Sequence, residues 1–308
     1  MQTGPLAVLD LGSNTFHLLV FRWEESRLVQ EFSLSLPAKI GLGSFGDGGI
    51  QPEAMDRALV VLHQFKRIME EWQVTKYRAI GTSALRQAAN QAVFLARVER
   101  EVGLRIEVIS GVDEASFIFE GVRMAVPITS PSLVLDIGGG SVEFILTDET
   151  QVVWKKSLEI GGLRLMEKFH RFDPMPLASQ ERMRTFLREQ LLPVTNAVHQ
   201  YAPQVLVGSS GSFDTLVDMW WMKTTGQLPP ADQSSFTLSL DAFVALKGQI
   251  LPLAEPERRE LPGMIPLRSG MISIAMVLID HVLLTYQLEK IHVSRYSLKE
   301  GVCQTLKP

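Results

Sequence analysis

The chain has 308 residues, of which 46% are hydrophobic and 21% are charged, as in a globular protein rather than a disordered one. This length exceeds what a single hydrophobic core usually serves, so we expect two domains. The net charge of −4 favours neither nucleic acid nor an anionic surface as a partner. The single cysteine, Cys303, excludes a disulfide framework and a zinc site built from cysteines.

The sequence carries no segment typical of a membrane protein or of a secreted one. Its longest apolar run, 271–284, is interrupted by Asp280 and His281 and is too short to cross a bilayer. No basic region precedes an apolar stretch near residue 1, so no signal peptide is predicted. We therefore expect a cytoplasmic location and no membrane partner.

In chain order, the first part of the sequence alternates between strand and helix patterns. An apolar strand ends at Asp10, and a second strand at 16–22 follows a turn of small residues. Pro52 suits the first position of a helix whose apolar residues recur every three to four positions. After the second strand we predict strands at 25–36, 77–82 and 104–109, the second of which leads into 83–86. Helices are predicted from Pro52 and at 87–102 and 113–124.

The remaining sequence repeats this α/β alternation. We predict strands at 133–137, 142–147, 152–157, 204–208 and 290–293, a loop at 224–235, and helices at 163–172, 177–200, 240–251, 256–261 and 268–285, with others ending near Trp221 and starting at Leu298. The predicted domains are 1–125 and 126–308, with the last helix able to pack back on the first domain.

Two segments of the sequence share one pattern, which indicates an internal duplication. Residues 8–15 (VLDLGSNT) and 134–141 (VLDIGGGS) each join an apolar strand ending in Asp to a small-residue turn, and an apolar strand follows in both cases. Two related α/β halves facing each other are therefore expected.

The second of these segments carries the strongest chemical signal. Three consecutive glycines and a serine lie between two acidic residues, in the order Asp136, Gly138, Gly139, Gly140, Ser141 and Glu143. Glycines permit backbone conformations that other residues avoid, so several amides can point at one anion. A tight hairpin turn is the alternative, although three glycines and Ser141 are more than such a turn needs. Neither GxGxxG nor a Walker loop fits, because a strand follows the glycines.

The first segment is predicted to contact the same anion from the opposite domain, through Gly12, Ser13 and Asn14. Asp10 and Asp136 stand at strand ends, where a carboxylate can hold a hard divalent cation such as Mg²⁺. An aspartate that only caps its own turn is the alternative.

An enzyme that acts on phosphate also needs positive charge and a base. Arg86 follows a predicted strand, and a guanidinium can bind phosphate through two hydrogen bonds; a solvated helix arginine is the alternative. Glu114 and its neighbour Asp113 both stand at the start of a predicted helix. For either carboxylate, the alternative role is simply to complement the helix dipole. Position alone therefore does not show which residue is the catalytic base and which caps the helix.

Taken in order, four motifs resemble those of the exopolyphosphatase/guanosine pentaphosphate phosphatase (Ppx/GppA) family. They lie at 10–17 (DLGSNTFH), 81–86 (GTSALR), 109–115 (ISGVDEA) and 136–143 (DIGGGSVE). The resemblance extends over nearly the whole chain, more weakly past residue 150. It implies two ribonuclease H-like domains of the actin/Hsp70/sugar-kinase superfamily around a cleft.

The resemblance also implies roles for individual residues. Glu114 becomes the general base for the attacking water and Arg86 a phosphate ligand, while Asp136, Gly138 and Glu143 belong to the phosphate and magnesium site. Glu143 is assigned to orienting the water or the metal. The sequence departs from the family pattern at three places, which are Asp113 for Glu, Val142 for Thr, and Lys299 for Arg before Glu300-Gly301.

The implied function is exopolyphosphatase, the removal of terminal phosphate from polyphosphate by water. Hydrolysis of the 5′-phosphate of guanosine pentaphosphate is the alternative. Polyphosphate is preferred as the substrate because no residue convincingly recognises guanine. A kinase of the same superfamily stays open, with the turn at 208–212 beneath adenosine. So does an alarmone-binding regulator or an actin-like assembly protein, although Glu114 argues against an inactive site. A homodimer is also left open.

Overall fold

The computed structural model describes residues 4–44 and 49–308, which form two compact units. The first unit comprises the described part of Met1–Gly121 together with Gly138–Gly140 and Leu298–Pro308, and the second comprises Val122–Ile137 and Ser141–Ser297. Each unit contains one mixed β-sheet and several helices, so the predicted α/β class is confirmed. The domain limits 1–125 and 126–308 stay a prediction, because a compact unit is not necessarily an independently folding domain.

The first unit is built on a five-stranded sheet. Its strands are β1 (Leu6–Leu11), β2 (Thr15–Glu24), β3 (Arg27–Pro37), β4 (Lys76–Gly81) and β5 (Glu107–Val108). They lie in the order β3-β2-β1-β4-β5, with the first three antiparallel and β1, β4 and β5 parallel. β1 is the central strand and is apolar on both faces, which explains its nearly continuous hydrophobic sequence.

Helices pack around this sheet. Those that begin in the first unit are α1 (Pro52–Glu71), α2 (Ser83–Gln87), α3 (Gln91–Val102), α4 (Gly111–Ala125) and α12 (Leu298–Cys303). Ala7, Leu9 and Leu11 of β1 share one hydrophobic core with buried side chains of α1 and α3. α3 ends at Gly103, whose φ of 73° is the left-handed conformation that glycine adopts at helix ends.

The second unit is built on a six-stranded sheet. Its strands are β6 (Ser132–Ile137), β7 (Val142–Thr147), β8 (Val152–Leu158), β9 (Val205–Ser209), β10 (Ser235–Leu238) and β11 (Lys290–Ser294). Its helices are α5 (Gly162–Phe169), α6 (Leu177–Gln190), α7 (Leu192–Tyr201), α8 (Gly211–Thr225), α9 (Leu240–Ile250), α10 (Glu255–Arg259) and α11 (Ile272–Tyr286). The strand order is β10-β11-β9-β6-β7-β8.

The two sheets repeat one topology, which confirms the duplication read from the sequence. The order β3-β2-β1-β4-β5 in the first unit corresponds to β8-β7-β6-β9-β11 in the second, and β10 is an added antiparallel edge strand. In each sheet the central strand is joined to its antiparallel neighbour by a short turn, and both central strands carry an aspartate one residue before their last.

Several predicted elements have different limits in the structure. The single helix expected at 177–200 is two helices that meet at Leu191, because Pro193 in the first turn of α7 cannot continue the hydrogen bonding of α6. β10 begins inside the predicted loop and has only four residues, too few to show a pattern. α3 begins at Gln91 rather than residue 87, α11 begins at Ile272, and β5 has two residues.

Throughout the part of the chain that the structure describes, no helix is both long enough and apolar enough to span a bilayer.

Gly301 is expected to be essential for the packing of α12 on α4. A Cβ atom at this position would collide with the Phe117 carbonyl and would lie 3.0 Å from the Gly121 nitrogen. Gly301→Ala should therefore lower the free energy of unfolding by about 1–3 kcal/mol, as overpacking does. Denaturant unfolding measures the change.

Gly248→Ala is the matched control, because Gly248 lies within α9 and a Cβ there meets nothing within 4 Å. It should raise the stability by about 0.5–1 kcal/mol, since glycine is a poor helix former. Equal effects of the two substitutions would contradict the packing argument.

Candidate active site

Arg86 and Glu114, predicted separately from the sequence, lie together in the first unit. Arg86, in α2, donates a hydrogen bond of 2.9 Å from Nη1 to Glu114 Oε2 and another of 3.1 Å to the Ile109 carbonyl. Both side chains are largely buried, with 19% of Arg86 and 8% of Glu114 exposed. A charge-assisted pair with so little solvent holds the Glu114 carboxylate in a fixed place.

The structure also distinguishes Glu114 from Asp113, a choice that position in the sequence left open and that the family resemblance made in favour of Glu114. Asp113 accepts a hydrogen bond of 2.7 Å from the Ser110 hydroxyl, and its own N–H donates to the same hydroxyl oxygen. This exchange is a helix cap at the exposed start of α4. Asp113 therefore has a local structural task, whereas Glu114 is buried against an arginine.

The first glycine turn, residues 12–15, is held by backbone and hydroxyl contacts. The Ser13 hydroxyl accepts a hydrogen bond of 3.2 Å from the Ala84 N–H, and the Asn14 carbonyl accepts one of 2.8 Å from Lys39 N–H. Ser13 and Asn14 are both buried. The Gly12 N–H donates 3.2 Å to the Thr15 carbonyl, which closes the turn.

The second glycine turn, residues 138–141, corrects one part of the sequence argument. None of its glycines has a positive φ, so their conformations are not barred to other residues. Gly140 is needed for space instead: a Cβ there would lie 2.6 Å from the hydroxyl oxygens of Ser13 and Ser83. The serine that ends this turn, Ser141, is buried as well.

Asp136 and Glu143 lie side by side in the second unit. They are directly opposite each other on the antiparallel strands β6 and β7, and only 6% of Asp136 and 1% of Glu143 are exposed. The equivalent pair in the first unit is Asp10 and His17. The duplication therefore preserves the aspartate, while the acidic partner is present in the second unit and is replaced by histidine in the first.

Hydroxyl groups surround the acidic pair, and reasoning from the sequence placed none of them there, although Ser209 lies in the turn at 208–212 that the sequence did single out. The Ser157 hydroxyl donates a hydrogen bond of 2.7 Å to Glu143 Oε1. Ser209 and Ser297 each donate one of 2.5 Å to Asp136 Oδ2. Ser157 and Ser297 lie outside every motif, and the turn that contains Ser209 is 73 residues from Asp136 in the chain, so the sequence could not show these contacts.

Burial raises the pKa of Asp136 above its ordinary value of 3.8. The pKa is lowered in turn by hydrogen bonds from three hydroxyls and by one positive charge; these groups belong to Ser209, Ser297, Ser210 and Arg268. Arg268 is a further residue that the sequence did not reveal, and its guanidinium packs where a Cβ of Gly211 would stand. The charge near Asp136 is thus supplied by a turn far along the chain.

The third glycine turn, residues 208–212, contains a strained residue. Ser210 has φ 71° and ψ 174°, a region that is essentially restricted to glycine. Gly208 is required for packing, because an added Cβ would overlap the Phe213 ring, and Gly211 lies directly against the Arg268 guanidinium. Strain of this kind is concentrated at functional sites, and Ser210 directly follows Ser209, which binds Asp136.

Across residues 4–44 and 49–308, no three side chains of His, Cys, Asp or Glu are placed to form a metal site. Asp10 lies in the first unit and the other two predicted ligands, Asp136 and Glu143, lie in the second, so the metal-binding role of all three stays a prediction. Mg²⁺ commonly uses one or two carboxylates and completes its coordination with water and substrate phosphate, so the Asp136–Glu143 pair is a suitable donor set.

Two α/β units with one repeated strand order, glycine turns after their central strands and a buried acidic pair define a protein of the ribonuclease H-like, actin-related class. The sequence model of the Ppx/GppA phosphatase family matches residues 37–307. The chain belongs to the Ppx/GppA phosphatase family. The predicted family, fold class and enzyme class, a phosphoric anhydride hydrolase, are thereby confirmed; the cleft and the residue roles stay predictions.

Solved structures agree with this assignment. The chain is 41% identical to an exopolyphosphatase from Cytophaga hutchinsonii, with a TM-score of 0.94 over 98% of this chain and 97% of that one. It is 25% identical to the Ppx/GppA enzyme of Aquifex aeolicus, with a TM-score of 0.80 over 98% and 99% of the two chains. An exopolyphosphatase-like protein at 23% identity shares the fold over the full length of both chains, with a TM-score of 0.89.

Replacing the buried Asp136 by asparagine should stabilise the protein at neutral pH. A carboxyl group whose pKa is raised by folding contributes stability below its ordinary pKa of 3.8, and this contribution is lost as the pH rises through the folded value. Asp136→Asn removes the buried charge and should gain about 1–3 kcal/mol at neutral pH. Denaturant unfolding at several pH values measures the difference, which should shrink as the pH falls towards 3.8. A variant less stable than the wild type at neutral pH would contradict this account.

Ser210→Gly should also stabilise the fold, because glycine adopts the observed φ and ψ without strain. Relief of such strain stabilises the fold by about 1–3 kcal/mol. The gain is partly offset by the greater backbone entropy of unfolded glycine and by loss of the 3.3 Å hydrogen bond from the Ser210 hydroxyl to the Ile137 carbonyl. Gln287→Gly is the control, since its φ of 52° and ψ of 42° lie in the ordinary left-handed region and cost less. Thermal unfolding should show the larger gain for Ser210→Gly; a loss of stability there would refute the strain.

Proposed function

We propose that this chain is an exopolyphosphatase, which releases the terminal phosphate of inorganic polyphosphate by attack of water. Family membership and 41% identity to an exopolyphosphatase over nearly the whole of both chains support the proposal. The observation that carries it is the buried Arg86–Glu114 pair, because hydrolysis of a phosphoanhydride needs both a fixed base and a fixed positive charge.

We assign Glu114 as the general base. Its Oε2 is held by Arg86, and we assign Oε1 to the proton of the attacking water. As the water oxygen bonds to the terminal phosphorus, the bridging P–O bond breaks and its electrons stay with the shortened polyphosphate. Little covalent chemistry is asked of the protein, since phosphoryl transfer depends mainly on positioning and on neutralising charge.

Phosphate binding is assigned to Arg86 and to the two glycine turns. Backbone amides of Gly12, Ser13 and Asn14, and of Gly138 to Ser141, are the proposed donors to the phosphate oxygens. Gly140 is part of this arrangement because its contact with Ser13 and Ser83 leaves no room for a side chain.

A divalent cation, Mg²⁺ in the first instance, is the proposed cofactor. Asp136 and Glu143 are its proposed ligands because they present adjacent, buried carboxylates, and oxygen is the ligand that Mg²⁺ prefers. Asp10 is kept as a ligand from the first unit. When bound, the cation would offset the negative charge of the phosphate oxygens. The positions of Glu114 and Arg86 are fixed by their mutual hydrogen bond.

Glu114→Gln should abolish most of the turnover while leaving substrate binding largely intact. Glutamine keeps the size of the side chain and can still accept from Arg86, but it cannot take a proton from water. We expect kcat to fall by about 10²- to 10⁴-fold with KM little changed. The assay is magnesium-dependent phosphate release from long-chain polyphosphate, guanosine pentaphosphate and ATP in parallel.

Asp113→Asn is the matched control, because this neighbour caps α4 and is not part of the proposed chemistry. It should keep wild-type kcat. Wild-type release from guanosine pentaphosphate but not from polyphosphate would replace the proposed substrate by the alarmone. Release from ATP alone, or equal losses in both variants, would refute the proposal.

A further inference from the structure

A row of polar side chains crosses the six-stranded sheet at the level of the acidic pair. Strand register places these residues opposite one another from β8 to β11, in the order Ser157, Glu143, Asp136, Ser209 and Ser294. Paired residues on neighbouring strands project from the same face of a sheet. The serines and the two carboxylates therefore form one polar row along a single face.

Hydroxyls of this row and of Ser297 fix one oxygen on each carboxylate. The Ser157 hydroxyl donates a hydrogen bond of 2.7 Å to Oε1 of Glu143, which is one of the two oxygens of this carboxylate. Asp136 receives two hydroxyl bonds of 2.5 Å, and both go to Oδ2. A carboxylate with one oxygen held cannot rotate freely, and its other oxygen is presented in a defined direction.

The chemical nature of these donors matters as much as their geometry. A hydroxyl is uncharged, so its hydrogen bond orients a carboxylate without adding a positive charge beside it. Two buried carboxylates in adjacent cross-strand positions repel each other and are costly to desolvate. An arrangement that fixes the directions of two adjacent carboxyl groups serves the binding of a cation better than it serves stability.

The first unit provides an internal comparison. Its corresponding row runs from β3 to β5 through Ser35, His17, Asp10, Ile80 and Glu107. The position of Ser209 is taken by Ile80, which has no hydroxyl, and the position of Glu143 by His17, which is hydrogen-bonded to Ser35 at 2.7 Å. The combination of an acidic pair with serine donors on both members is thus specific to the second unit.

We propose that Ser157 and Ser297 are positioning residues that aim Glu143 and Asp136 at the divalent cation. This inference rests on the proposed function, because that function requires the cation. Ser209 shares the task at Asp136, but it is completely buried and makes a less suitable test. Ser157 and Ser297 are only half-buried, so loss of either hydroxyl leaves the packing of the unit intact.

The test uses Ser157→Ala and Ser297→Ala in the full chain, with Mn²⁺ as a paramagnetic substitute for Mg²⁺. Electron paramagnetic resonance measures Mn²⁺ affinity without any turnover, and phosphate release as a function of Mg²⁺ concentration gives the activation constant. We expect each substitution to lower the Mn²⁺ affinity, and to raise the Mg²⁺ concentration needed for activation, by about 10- to 100-fold. This is the range found for groups that orient metal ligands. Ser157→Thr and Ser297→Thr keep the hydroxyl and should recover most of the affinity.

Ser35→Ala is the matched control, since it removes a hydroxyl from the equivalent position of the first sheet. It should leave Mn²⁺ affinity unchanged. Alanine variants that bind Mn²⁺ as the wild type does, a control that loses affinity equally, or a wild type that binds no Mn²⁺ would each overturn the inference. Failure of the wild type to release phosphate would refute the proposed function instead, and the Mn²⁺ affinities would still decide the role of the serines.

Discussion

The burial of two carboxyl groups next to each other is the constraint on which the second unit depends. Asp136 and Glu143 are cross-strand partners with almost no exposure to solvent. Such a pair persists only when hydrogen bonds compensate for lost hydration. The hydroxyls of Ser157, Ser209 and Ser297 provide them, and the strained Ser210 lies beside one of these donors. The local structure around the pair is therefore organised by electrostatics rather than by apolar packing.

The first unit meets a different requirement with the opposite chemistry. There a single carboxylate, Glu114, is paired with a full positive charge on Arg86, and the helix dipole at the start of α4 adds to the same effect. Orientation by an arginine suits a group that acts on a proton at one fixed point. Orientation by hydroxyls suits groups that must keep their charge for a cation. The two units thus differ in how they hold their acids, although they share one strand order.

This divergence bears on what a duplicated fold preserves. The strand order, the aspartate near the end of the central strand and the tight turn after it are retained in both units. These features follow from backbone geometry, which any sequence of the right pattern satisfies. The residues across from the aspartate are not retained, because His17 faces Asp10 while Glu143 faces Asp136. The backbone framework is common to both units, and the chemistry is set by single side chains on it.

The sequence alone determined the α/β class, the duplication, and the identity of the turns and acids at strand ends, because each of these depends on neighbouring residues. The four motifs were sufficient for the family. Local signals were weakest where elements are short, as in β10, or where a proline divides a helix, as at Pro193. Only the tertiary structure brought Arg86 to Glu114 and showed that Asp113 bonds to Ser110 instead. It also brought Ser157, Ser297 and Arg268 to the acidic pair. Hydrogen bonds and charges act over a few ångströms in space, and the distance between two residues along the chain does not reveal that separation.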